Sequence, residues 1–153
     1  DPHDLDDLYQ EVILEHSRRP HNRGVLPHPD IVGSAVNPFC GDEAEIAVAI
    51  DSGRVSQVAS QAVGCAISQA SLSMLTDILP GKSLDEVSGI ISAFEGMMQG
   101  QRPSEEELDK LGDVRVLSGV RRYPIRIKCA LLPWTALRDS LGEARPVERG
   151  QAS

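Results

Sequence analysis

Asn37-Pro38-Phe39-Cys40-Gly41-Asp42 sets a thiol and a carboxylate two residues apart, with a glycine between them. Pro38 fixes its own φ and pushes Asn37 into extended backbone. Gly41 permits a turn that a side chain would hinder. The stretch reads as a tight connection between two strands that points Cys40 and Asp42 into one small volume. A thiolate and a carboxylate so close repel each other unless a cation sits between them.

The flanking sequence fits that reading. Ile31 to Val36 is a short apolar strand. In Glu45 to Ile50, Ile46, Val48 and Ile50 alternate with alanines, as a strand with one buried face requires. Asp51-Ser52-Gly53-Arg54 is a hairpin turn, and Val55 to Val63 returns with weak alternation. Three such strands in succession predict an antiparallel meander.

Helices surround it. Asp4 to Ser17 carries Leu5, Leu8, Val12 and Ile13 at helical spacing, with acidic residues in the first turn. An Arg-Arg-Pro-His-Asn-Arg-Gly loop (residues 18–24) follows. Ala66 to Leu79 is a helix stopped by Pro80-Gly81. Ser83-Leu84-Asp85-Glu86 has the form of a capping box and opens a helix to about Gln99. Ser104 caps a short acidic helix to Leu111, and Gly112 to Val120 reads as irregular or a single turn. Pro124 to Leu141 is the last helix, with Ile127, Leu131, Trp134, Leu137 and Leu141 as its inward stripe. Pro133 removes an amide from that helix, which predicts a loosened turn beside Cys129. The expectation is an α+β fold, a small antiparallel sheet of about three strands packed against several helices. Residues 1–142 form a single domain, followed by a polar, disordered tail at 143–153.

The chain has 153 residues, enough for one domain with a real core. Aromatic residues make up only 3%, so that core must be aliphatic. The formal net charge of −8 argues against general nucleic-acid binding, and so few aromatics argue against base stacking. No apolar run approaches the roughly 20 residues that span a bilayer. The acidic, amphipathic start does not read as a signal peptide, and a cytoplasmic location is expected. Arg121, Arg122, Arg126 and Lys128 concentrate positive charge shortly after the acidic run Glu105 to Asp109. That basic segment suits either an acidic partner surface or solvent.

Three cysteines, Cys40, Cys65 and Cys129, are too few and too odd in number for a disulfide framework. Cys65 lies at a helix N-terminus, where backbone donors favour a thiolate. With Asp42 the three thiols make a four-member candidate set suited to Zn²⁺ or an iron–sulfur centre, not to Mg²⁺ or Ca²⁺. Spacing alone leaves another reading open, with Cys65 and Cys129 as buried small hydrophobes and Asp42 as a turn residue. Arg126, one turn before Cys129, is placed to offset the charge of the set or to face solvent. His16 and His21 show no spacing that ties them to the cysteines and read as surface or helix-end residues. Ser68, Ser71 and Ser73 have no His and Asp placed to make a hydrolase and read as helix surface.

Three words narrow the choice: Asn37 to Asp42, Gly64-Cys65-Ala66-Ile67-Ser68-Gln69-Ala70-Ser71, and Arg126-Ile127-Lys128-Cys129-Ala130-Leu131-Leu132-Pro133-Trp134. Together with Leu8 to His16 and the loop after it, they closely resemble the SufU family of the IscU/NifU-N-like superfamily of iron–sulfur cluster assembly proteins. The resemblance covers about residues 5 to 142. Scaffold-type IscU proteins carry a His directly before the last cysteine; here that position is Lys128. SufU-type proteins carry an insertion between the second and third cysteines, and the long stretch from Cys65 to Cys129 accommodates one. Pro133 departs from the family pattern, which has a helix-compatible residue before the Trp.

The resemblance implies a zinc-dependent sulfur carrier of the SUF system. It would accept persulfide sulfur from a SufS-type, pyridoxal-phosphate-dependent cysteine desulfurase and pass it to a downstream assembly scaffold. The zinc ligands would be Cys40, Asp42, Cys65 and Cys129, with Cys40 as sulfur acceptor and Arg126 as charge support. The alternative is a scaffold that assembles a [2Fe–2S] cluster on the same ligands.

Overall fold

The computed structural model describes residues 11–39 and 41–152, with side chains up to residue 142. Strands β1 (Ile31–Asn37), β2 (Asp42–Asp51) and β3 (Arg54–Val63) form one antiparallel sheet in the order β1-β2-β3. Asn37 pairs with Asp42 across the first connection, and Asp51 pairs with Arg54 across the second. The second connection is a two-residue turn in which Ser52 (φ 55°) and Gly53 (φ 77°) both take positive φ. That conformation matches the twist of the flanking strands.

The weak alternation of β3 has a local cause. The β2–β3 register slips between Ala49 and Ile50, so Ala49 faces Gln57 while Ile50 faces Val55. Ser56 is the extra residue of this bulge, and its hydroxyl donates to the Ala49 carbonyl at 3.1 Å. The bulge turns both Val55 and Val58 toward the core, which strict alternation forbids.

Residues 11–18 form helix α1. The remainder of the Asp4–Ser17 helix expected from sequence lies outside the described residues. α2 (Ala66–Ile78), α3 (Leu84–Met98) and α4 (Glu105–Leu111) follow. Both α3 and α4 begin with complete capping boxes, Ser83 with Glu86 and Ser104 with Glu107. Each box satisfies two otherwise orphaned amides. Gly112–Arg122 is a 3-10 segment, longer than the single turn expected there. α5 (Pro124–Ala152) passes through Pro133 and Gly142 without a break. The end of the helix therefore does not coincide with the boundary at residue 142 suggested by polar composition.

The sheet buries one face. Ala44, Ile46 and Val48 of β2 meet Leu72 and Leu75 of α2 and Leu137 and Leu141 of α5 in the core. Gly33 lets α5 approach β1, since a Cβ there would lie 2.4 Å from the Ala136 carbonyl oxygen. Trp134 and Phe94 stack with centroids 4.1 Å apart. The Trp134 indole donates to Ser71 Oγ at 2.9 Å, and Ser71 donates to the Ala130 carbonyl at 2.6 Å. This cross-link pins α5 to α2 beside Cys129 and Pro133.

Candidate metal centre

Asp42 is the first residue of β2 and not the turn residue expected from sequence. Two-residue periodicity puts it on the same inward face as Ala44, Ile46 and Val48, and it is 0% exposed. The turn before it is built as the sequence suggested. Gly41 takes φ +71° and donates its amide to the Asn37 carbonyl at 2.9 Å, while the Phe39 amide donates to Asn37 Oδ1 at 3.1 Å. Cys40 lies outside the described residues.

Cys65 is the N-cap of α2, in extended backbone (φ −73°, ψ 166°), with no side-chain cap hydrogen bond. Its amide donates to Asp42 Oδ1 at 2.9 Å, and its thiol donates to Asp42 Oδ2 at 3.6 Å. The carboxylate is thereby oriented by the backbone of the residue whose sulfur it faces. Gly64 makes this approach possible, because a Cβ there would lie 2.2 Å from Asp42 Oδ1. Gly64 also sits at φ +146°, where side chains are strained. Ser68 Oγ donates to the Cys65 carbonyl at 3.0 Å and receives the Cys65 thiol at 3.8 Å.

Cys129, on α5, is 0% exposed. The ligand atoms of Asp42, Cys65 and Cys129 all lie within 4.8 Å of one another. A buried carboxylate against two thiols is a donor set suited to a thiophilic cation. The residues present thus fit a zinc or iron centre. Arg126 faces the same two cysteines from the rim. A hydrogen bond to the Cys129 side chain, then the charge of Cys65, hold its guanidinium above the usual range. Lys128 lies 5.8 Å over the ring of Phe39, which ties α5 to the turn around residue 40.

The structure also gathers residues that the sequence reading left apart. His16, His21 and Asp77 likewise place ligand-type atoms within 4.8 Å of one another. His16 is 6% exposed and shares a 2.8 Å hydrogen bond with Ser73 Oγ, so it is a core residue and not a surface one. Burial, then the neighbouring His21 charge, push its pKa down from the ordinary imidazole value. The signal was present, since position 16 continues the stripe of Val12 and Ile13. Ser68, Ser71 and Ser73 are also buried, not surface. Each is spent on a specific bond, to Cys65, Trp134 and His16 respectively.

Comparison with known proteins agrees with this architecture. Residues 8–130 match the family described as the NifU-like N terminal domain. The chain is 40% identical to the iron-sulfur cluster assembly scaffold protein IscU of Streptococcus pyogenes serotype M1, over 90% of this chain and 84% of that one. It is 39% identical to the zinc-dependent sulfurtransferase SufU of Bacillus subtilis, over 91% of this chain and 92% of that one. A candidate iron-sulfur cluster assembly scaffold protein for the SUF system from Fervidobacterium islandicum AW-1 superposes with a TM-score of 0.78. That structure is 31% identical, with 86% of this chain and 94% of that one covered. The chain therefore belongs to the NifU-like N-terminal domain family, within its SufU/IscU group of iron–sulfur cluster assembly proteins.

Proposed function

We propose that the protein is a zinc-dependent sulfur carrier that accepts persulfide sulfur from a SufS-type cysteine desulfurase for iron–sulfur cluster assembly. The observation that carries the reading is the buried Asp42 carboxylate, held by the Cys65 amide against two thiols. Cys40, Asp42, Cys65 and Cys129 are the proposed ligands. Zn²⁺ held there would keep the thiols deprotonated at neutral pH. The likeness to a relative named as a zinc-dependent sulfurtransferase supports this choice of metal. Lys128 supports it too, standing where IscU-type scaffolds resemble one another in having His.

The residues divide the work. Cys65 and Cys129 are anchored, one at the start of α2 and one inside α5. Cys40 stands between Phe39 and Gly41 in the sequence, and a glycine beside it gives the backbone freedom. The Cys40 thiolate attacks the outer sulfur of the partner's persulfide. A new S–S bond forms on Cys40, the old one breaks, and the partner's cysteine leaves as a thiolate. Arg126, on the rim, offsets the negative charge that the added sulfur brings.

The test is to incubate the protein with such a desulfurase and cysteine, then weigh the intact chain. The expected result is a gain of one sulfur, absent in Cys40→Ala, with faster desulfurase turnover. No gain and no stimulation would overturn the reading. The second reading, a [2Fe–2S] scaffold on the same ligands, is favoured by the likeness to the streptococcal IscU. Protein as isolated separates them, since tightly held zinc supports transfer and iron with sulfide supports the scaffold. The cytoplasm is the proposed location; among the described residues no helix is long and apolar enough to cross a membrane.

A further inference from the structure

Away from the metal centre, the loop after α3 and the start of the 3-10 segment line an open cavity of about 620 Å³ at the surface. Three arginines line it: Arg102, Arg115 and Arg121. One of them is held by the backbone. Arg115 Nε donates to the Gly112 carbonyl at 3.0 Å, and among the described residues its two terminal amino groups have no hydrogen-bond acceptor. Arg121 lies over Gly100 (φ +98°), where an added Cβ would come within 3.3 Å of Nη2.

Among the described residues none of these three arginines pairs with a carboxylate, although the chain carries a net charge of −8. Other arginines do pair, Arg54 with Glu86 and Arg138 with Glu95. One acidic side chain, Asp113, lines the cavity, so three positive charges less one negative leave two in excess. None of the acidic side chains of α4 lines the cavity. Glu106 and Glu107 line a different depression, against α3. Met97, Leu108 and Val116 supply an apolar floor.

We propose that this cavity binds a small polyanion carrying two or more phosphate or carboxylate groups. Guanidinium forks match both groups in bidentate geometry, and the volume lies within the ordinary range of small-molecule sites. Val116 also lines the 360 Å³ pocket that Ala66, Ile67 and Arg126 form beside Cys65. A ligand in the arginine cavity thus sits one side chain from the approach to the metal centre.

The test is a heteronuclear NMR titration of the full chain at physiological ionic strength, with pyrophosphate in one arm and citrate in the other. The expected result is saturable shifts at the amides of Gly100, Gly112 and Ser118, with Kd below about 1 mM for at least one anion. The arm that saturates at the lower concentration identifies phosphate or carboxylate chemistry. Arg115→Glu with Arg121→Glu should weaken binding by at least roughly tenfold, whereas Arg19→Glu should not. Equal thermal stability of the variants shows that the fold is intact. Shifts confined to Gly64–Ser68 would show chelation at the metal centre and overturn the proposal. So would a response that fails to saturate by about 10 mM, or equal binding by the double variant.

Discussion

Among the described residues two clusters satisfy the same geometric condition, three ligand-type side chains with atoms within 4.8 Å of one another. They differ in what those atoms already do. Around Ser73 the polar valences are spent. Asp77 Oδ2 bonds to His21 Nδ1 at 2.6 Å, and Asp77 Oδ1 accepts from Asn22 at 3.1 Å. Ser73 Oγ receives the His21 amide at 2.8 Å and bonds to the His16 ring. That network fastens the loop after α1 to α2. At Asp42 the carboxylate is enclosed, takes the Cys65 amide at 2.9 Å and meets the Cys65 thiol at the longer 3.6 Å, while Arg126 reaches the cysteines from the rim. Proximity of donors is thus a poor sign of a metal centre; a buried carboxylate set against thiols is a better one.

The largest effect expected is on metal affinity. Asp42→Ala or Cys129→Ser should weaken zinc by more than the roughly 10–100-fold typical of changes around a ligand shell, measured by chelator competition. His16→Ala with His21→Ala should leave metal content unchanged. A loss of metal in that pair would break the contrast. Gly64→Ala comes next. Its Cβ displaces the Asp42 carboxylate, so affinity should fall by about 10–100-fold while the unliganded fold persists.

The histidine cluster should matter to stability instead. His16→Ala leaves a void and strips Ser73 of a partner, at a cost of about 1–3 kcal/mol in denaturant unfolding. It should also set a pH dependence. Folding depresses the His16 pKa, so between that value and the ordinary 6.5 the unfolded chain binds the extra proton. Stability is therefore complete above about pH 6.5 and declines as pH falls below it, by at most about 1.4 kcal/mol per unit. His16→Asn should flatten that slope. The smallest effect belongs to Lys128→Ala, which removes an exposed cation–π contact worth about 0.5–1 kcal/mol, read from the unfolding midpoint.

Much of this was legible in the residues themselves. Ser83 and Ser104 carry their caps in the sequence, and the Ser52-Gly53 turn signals the hairpin directly. The three cysteine words led to the family, and two of the three cysteines do converge with Asp42. What was not legible depends on long-range contacts. Asp42 reads as a turn residue until its pairing with Asn37 extends β2 by cross-strand hydrogen bonds. The bulge at Ser56 is a property of the β2–β3 pair, and no single strand announces it. Ser68, Ser71 and Ser73 look like a polar helix face because each partner comes from elsewhere in the chain or from the backbone one turn away. The helical backbone continues beyond Leu141 through the polar stretch that suggested a tail.

Trp134 gives the protein an optical gauge. It is the only tryptophan in the chain, and its ring is fully enclosed against Phe94. Through Ser71 the indole is coupled to the carbonyl of Ala130, the residue after Cys129. Any rotation of that turn must alter the indole's hydrogen bond, and with it the colour and intensity of emission. Mixing unlabelled protein with metal, or with a sulfur donor, in a stopped-flow fluorimeter would then show in real time whether the Cys129 turn stays still.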